Sequence, residues 1–294
     1  MAEDSMNEPG KPRLVPARPP ALEHAGYLPR MPWRYLGAAA LVLGLVLAFY
    51  GYRQNQKAAE LRVSILQKYE GELAAPRARM SATRDKLNQL ISGAAAHSGT
   101  DSIIAPNFKL SDLRAGSGLY LRIPLESAHD KQHIIDAAKL MEPDWIPSCL
   151  RLSPTTAREI YEVGEFLMPE FVANLANESV IKLRVRQDTM ERRAQSDMDK
   201  LLTAAQSHWF MLVLQEGESR HDQPVRVFIW DLATQAPLLF ARVQSQGIVL
   251  TSHILSQGVD PKSQPALGDR SRAAANDCSI AGSLKKLATS QAAR

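Results

Sequence analysis

Residues 209–244, WFMLVLQEGESRHDQPVRVFIWDLATQAPLLFARVQ, decide the fold class. Three runs, 209–215, 225–232 and 237–244, are rich in β-branched and aromatic residues, which suit a pleated and largely buried surface. The spacers GESRHDQ and ATQA between them are polar and short, so the stretch predicts an antiparallel meander of three strands. Residues 247–253 extend the pattern as a further strand.

Upstream, residues 119–123 alternate as a strand and Pro124 closes it. Ser127 with Asp130 three residues later forms a capping-box pattern, predicting a helix that runs to about Met141. Pro143, Pro147 and Pro154 interrupt the chain, and helical patterns resume over 155–166, 170–177 and 178–206. Strands flanking a helical block, with hairpins at the end, argue for an α+β globular domain over 103–256, its helices packed on one face of a small antiparallel sheet. Beyond Gln257 the composition turns to Ser, Gln, Pro, Ala and Gly. Residues 257–294 are expected to be a mostly disordered tail, with only 280–287 able to form a short helix.

The address of this domain is set by residues 35–52, YLGAAALVLGLVLAFYGY, roughly 18 residues with no charged side chain. At 1.5 Å per residue such a helix is roughly 27 Å long, close to the thickness of a bilayer's hydrocarbon. Aromatic rings stand at both ends, and Arg34 and Arg53 bracket it. Residues 33–53 are therefore expected to be a transmembrane helix acting as a signal anchor. A cleaved signal peptide fits less well, because about 32 residues precede the apolar run and no small-x-small site closes it.

The residues before the span, 1–32, carry seven prolines and little apolar periodicity, which predicts a disordered tail. Basic residues are nearly balanced across the span: Lys11, Arg13, Arg18, Arg30 and Arg34 before it, and Arg53, Lys57, Arg62 and Lys68 after it. A short basic tail left in the cytosol would put the C-terminal domain outside a bacterial inner membrane. Within the span Ala40, Gly44 and Ala48 form a small-xxx-small ridge suited to helix packing in lipid, and hence to a homo-oligomer. After it, residues 54–96 read as a helical stalk in which Leu66, Leu73, Met80 and Leu87 recur every seven residues, half of a coiled-coil seam. Pro76 is expected to break this helix after Ala75. The seam has two readings: a stalk pairing with a second copy, or a helix folded back on its own domain.

Chemical motifs are few. His129 and His133, spaced i and i+4 with Asp130 after the first, approach the His-Glu-x-x-His zinc pattern, but the general base would be one methylene short and the wheel turns both rings toward water. The acidic series Glu159, Glu162, Glu165 and Glu170 and the basic series Lys182, Arg184, Arg186, Arg192 and Arg193 both suit solvated helix faces, the latter also an anionic lipid or wall polymer. No phosphate-binding glycine loop, nucleophile elbow or Cys-x-x-Cys is present, so no catalytic residue and no cofactor is expected. The net charge of +4 is mild and its cations are interspersed with acids, so no nucleic-acid partner is expected. Cys149 and Cys278 are the two cysteines; in an exported domain they could close a disulfide across a long loop, and in a cytosolic one they would be two free thiols, so their redox state reports topology.

The layout resembles that of bitopic bacterial envelope proteins: a proline-rich tail, one span, a stalk and a compact domain. It implies a membrane-anchored binding or structural module whose partners are the bilayer and another envelope protein or a cell-wall component. Two alternatives stand beside it: a subunit of a larger membrane complex, and an anchored metal-dependent hydrolase using His129 and His133.

Overall fold

A computed structural model describes residues 33–99, 101–106, 108–142, 144–217, 224–245 and 269–292. The tail 1–32, the strand expected at 247–253 and the stretch 257–268 lie outside the described residues. The chain divides into two compact units, Met1–Gln54 and Asn55–Arg294.

In the first unit lies most of the apolar part of helix α1, Trp33–Glu70. This helix is long and apolar enough to cross a membrane, and none of its most apolar 18-residue window is buried. Leu41, Leu43, Leu45, Leu47 and Phe49 all stand exposed. The Ala40–Gly44–Ala48 ridge is uncovered too, since a methyl group placed on Gly44 would meet nothing within 4 Å.

The second unit is mixed α+β, built on a six-stranded sheet in the order β1-β6-β5-β4-β2-β3. The strands are β1 Ile103–Ile104, β2 Gly118–Pro124, β3 Thr155–Thr156, β4 Trp209–Gln215, β5 Val225–Asp231 and β6 Pro237–Val243. The last three form the expected meander, with Phe210 opposite Trp230 and Phe228 opposite Phe240. The sheet is nonetheless mixed and not antiparallel throughout: β2 runs parallel to β4, Gly118 opposite Trp209 and Pro124 opposite Gln215, and β3 runs parallel to β2. A parallel neighbour needs a long crossover, and the helical block between β2 and β4 supplies it.

Both faces of the sheet are covered. On one, Leu121, Ile123, Phe210, Leu212, Phe228, Trp230 and Phe240 pack with helices α2 Ala74–Ala96, α3 Lys131–Lys139, α5 Arg158–Tyr161, α7 Val180–Ser196 and α8 Met198–Ala205. Aromatic rings run across three strands there, with Phe228 5.3 Å from Trp230 and 4.7 Å from Phe240, separations typical of favourable ring pairs. On the other, Tyr120, Met211, Val213, Val227, Ile229 and Ala241 pack with Ile146 of α4 Ile146–Cys149 and with Ile280, Ala281 and Leu284 of the C-terminal helix. Gly118 is required where β2 begins, because any β-carbon there would sit 2.1 Å from the Trp209 ring.

Three expectations change. The seam residues Leu73, Met80 and Leu87 are 4%, 0% and 0% exposed inside this unit, so α2 takes the second of its two readings and is domain core, not a stalk. The break between α1 and α2 falls at Gly71–Leu73, where Gly71 N–H bonds the Gln67 carbonyl, and Pro76 sits in the first turn of α2, where its missing donor costs nothing. The tail is not mostly disordered either: residues 269–292 form helix α9, Asp269–Ala292. A short α6, Pro169–Ala173, completes the helices among the described residues.

Candidate functional site

After β2 the chain lays α3 on the aromatic face of the sheet and α4 on the other, and Met141, Glu142 and Asp144 of the segment between them lie beside the C-terminal half of β2. β3 is only two residues long, so on the side away from β4 that half of β2 has no neighbouring strand. The Arg122 N–H accordingly donates to Met141 Sδ at 3.4 Å. Crevices beyond the carboxyl ends of parallel strands, where successive connections go to opposite faces, are where open sheets take ligands. Two clefts lie there, of about 490 Å³ and about 580 Å³, and both are lined by Met141 and Glu142 of the crossing segment. The first is lined by Ile123, Pro124, Ala137 and Leu140 together with His133, Asp136 and Gln215. The second is lined by Tyr120, Asp144, Ser148, Thr156, Arg158 and Glu159, among others.

Between them lies a buried charge cluster. Arg122 Nη1 donates to Asp144 Oδ2 at 3.1 Å and to Asp277 Oδ1 at 2.7 Å, and the three side chains are 6%, 2% and 0% exposed. The Tyr120 hydroxyl donates to Asp144, the Ile146 N–H to the other Asp144 oxygen at 2.8 Å, and the Trp145 N–H to Asp277 Oδ2 at 3.1 Å. Burial, and then the Asp144 charge, push the Tyr120 hydroxyl well above its ordinary pKa. Burial alone would lower the Arg122 pKa, but Tyr120, Asp144 and Asp277 outweigh it and hold the guanidinium charged. Neither group exchanges protons near neutrality. The cluster is a fastener, tying β2 to the crossing segment and to α9.

Two further bonds hold α9. Cys149 and Cys278 are joined in a disulfide with Cα atoms 5.2 Å apart, and Lys285 Nζ donates to the Cys149 carbonyl at 2.8 Å. The residue after Asp277 thus bonds covalently to the end of α4.

The histidines are not brought together as the zinc pattern requires. His129 ends a 3₁₀ turn, Leu125–His129, and Asp130 after it is extended. Asp130 is itself the cap of α3, accepting from the Gln132 and His133 N–H groups, so the capping position is Asp130 and not Ser127. That break puts His129 and His133 on different elements, and the His133 side chain is 70% exposed. Among the described residues no three His, Cys, Asp or Glu side chains are grouped as a metal would need.

The acidic series separates likewise. Glu162 pairs with Arg158, whose hydrogen bond lowers the Glu162 pKa, Glu165 pairs with Lys139 at 3.0 Å, and Glu170 with Arg84 at 3.2 Å. In the basic series Arg186 forks onto Glu178, with both contacts at 2.6 Å, and Arg193 donates to the Glu162 and Val163 carbonyls. The residues that sequence reasoning missed are Arg122, Asp144 and Asp277. The one local sign was an arginine inside the otherwise apolar strand GLYLRIP.

Comparison with protein-family models, with curated proteins and with solved structures finds no match to this chain.

Proposed function

We propose that the chain is a single-pass protein of a cell envelope: residues 33–53 cross a bacterial inner membrane, and the α+β unit after them is exported and acts by binding another envelope protein or a wall component. The observation that carries this reading is a cystine-closed domain following a helix whose most apolar window is unburied among the described residues. Disulfides persist in oxidising compartments and are rare in the cytosol. A signal sequence passes the same test of length and apolarity as an anchor, but the 32 residues ahead of the apolar helix and the aromatic rings at its ends favour the anchor. The clefts flanking Met141 and Glu142 combine apolar side chains such as Ile123, Ala137 and Leu152 with polar and charged ones such as Gln215, Asp144 and Arg158, which gives a partner both surface to bury and groups to hydrogen-bond.

The test is thiol labelling in intact cells with a membrane-impermeant reagent. Labelling of Cys149 and Cys278 only after reduction places the domain outside. Thiols that stay protected in intact cells yet react after lysis without reductant place it in the cytosol and end this reading.

A second reading, a subunit of a larger membrane complex, is favoured by the uncovered ridge at Ala40, Gly44 and Ala48.

A further inference from the structure

The basic series on α7 divides into two sets. Arg186 and Arg193 are committed to hydrogen-bond partners within the domain, whereas Lys182, Arg184 and Arg192 are exposed, Lys182 lying near enough to Glu178 to help Arg186 lower its pKa. Leu183 and Met190 mark the buried face of this helix. At 100° per residue Ile181, Val185 and Arg192 lie within roughly 40° of one another on the opposite face, with Arg184 and Lys182 on its two flanks. Ile181 is 76% and Val185 59% exposed, unusual for large aliphatic side chains on a charged helix. Asp188 is the one exposed acid among them, which leaves an excess of positive charge around two exposed aliphatic side chains. An apolar strip edged by lysine and arginine is the pattern of helices that lie on an anionic lipid surface.

The start of this helix is pinned close to where the unit begins. Arg62 donates from Nε to the Leu175 carbonyl at 2.8 Å and from Nη2 to the Glu178 carbonyl at 3.3 Å. Arg62 follows Asn55 by seven residues of helix, roughly 10 Å of rise, which is about one Debye length at 0.1 M salt.

We propose that the exposed face of α7 is a docking surface for the anionic headgroups of the membrane that holds the chain. Ile181 and Val185 enter the headgroup boundary, and Lys182, Arg184 and Arg192 meet lipid phosphates. This rests on the anchored reading above. Charge complementarity and covalent nearness select lipid over a second copy, whose identical face would bring like charges together.

Full-length chain reconstituted in phosphatidylcholine vesicles, and in vesicles with about a third phosphatidylglycerol, is compared by hydrogen–deuterium exchange, with membrane insertion checked by resistance to an alkaline wash. Amide exchange over residues 180–196 is expected to slow several-fold only with the anionic lipid, to revert in high salt, and to show no slowing in a chain carrying Lys182→Glu, Arg184→Glu and Arg192→Glu. Equal exchange in both lipids, with the chain still inserted, overturns the docking surface alone. Slowing that follows protein density and not lipid charge assigns the face to a second copy and also overturns it. Loss of the chain in the alkaline wash overturns the anchored reading itself.

Discussion

Arg122 on β2 and Asp277 on α9 meet at 2.7 Å with both side chains buried, although 155 positions separate them in the sequence. Removing one member of a buried pair leaves an uncompensated charge and costs roughly 3–5 kcal/mol. Arg122→Met is expected to cost in that range, because it removes the cation that faces both carboxylates at once. Asp277→Asn should cost less, since the amide oxygen still accepts from the Trp145 N–H and Arg122 keeps Asp144. Denaturant unfolding of the full chain in detergent measures both. Equal and negligible losses would mean that the cluster does not fasten α9.

The disulfide acts on the same helix by a different route. Its two cysteines are 129 residues apart, and closing a loop of that length restricts the unfolded chain. Reduction, or the Cys149→Ala and Cys278→Ala pair, is expected to lower stability by about 2–4 kcal/mol. The melting temperature with and without reductant is the readout, and the double variant should be indifferent to reductant. A reductant effect that survives in the double variant would exclude the disulfide as its cause.

The three strands of the meander were legible to within a residue because their composition and turns are local signals. What those runs also carried was their double-sided burial. WFMLVLQ has no polar face, the mark of a strand covered on both sides, yet the expected fold placed helices on one face only. The parallel pairing of β2 with β4 was not legible, since register between strands some 90 residues apart leaves no local pattern. Helix α9 was half-seen at 280–287. Its Ala- and Ser-rich sequence has little apolar drive of its own, and its place comes from Ile280, Leu284, Asp277 and Cys278 meeting partners far away in the chain. The Arg122 cluster was hidden for the same reason.

The seam of α2 separates a core helix from a stalk. Met80 and Leu87 are completely buried within the unit, whereas Leu66 on α1 is 36% exposed. Met80→Ala and Leu87→Ala are each expected to cost about 2–5 kcal/mol, as buried truncations do. Leu66→Ala should cost under about 1 kcal/mol, in line with a partly exposed site. The three variants are compared in one unfolding series at constant protein concentration. Were Leu66→Ala the most damaging, or the losses dependent on concentration, a paired stalk would be the better account.

Acid stability should report on Glu216. It accepts from Arg226 Nε at 2.6 Å and from Arg242 Nη2 at 2.6 Å, bridging β5 and β6. Burial pushes its pKa up, but the two guanidiniums more than offset this and hold it below the ordinary value of 4.5. A carboxylate with a depressed folded pKa stabilises above its unfolded pKa and loses that contribution as pH falls toward the folded value. Wild type should therefore exceed Glu216→Gln in stability at neutral pH, with the gap closing progressively below about pH 4.5. Melting curves across that window decide it, and a gap that widens on acidification would reverse the sign.

A β-carbon at Gly44, in the apolar part of α1, would meet nothing within 4 Å among the described residues. Gly44→Ile should therefore leave the chain's own fold unchanged. If Ala40, Gly44 and Ala48 form a helix–helix contact in the bilayer, the added side chain forces the two backbones apart and removes most of the van der Waals packing that holds such pairs, whose close approach depends on small residues. Cross-linking of full-length chain in vesicles should then fall sharply for Gly44→Ile, while the melting temperature of the domain stays at the wild-type value. A conservative Gly44→Ala should retain most of the cross-link. Cross-linking that is equal in all three proteins would remove the span as an interface and leave any assembly to the domain.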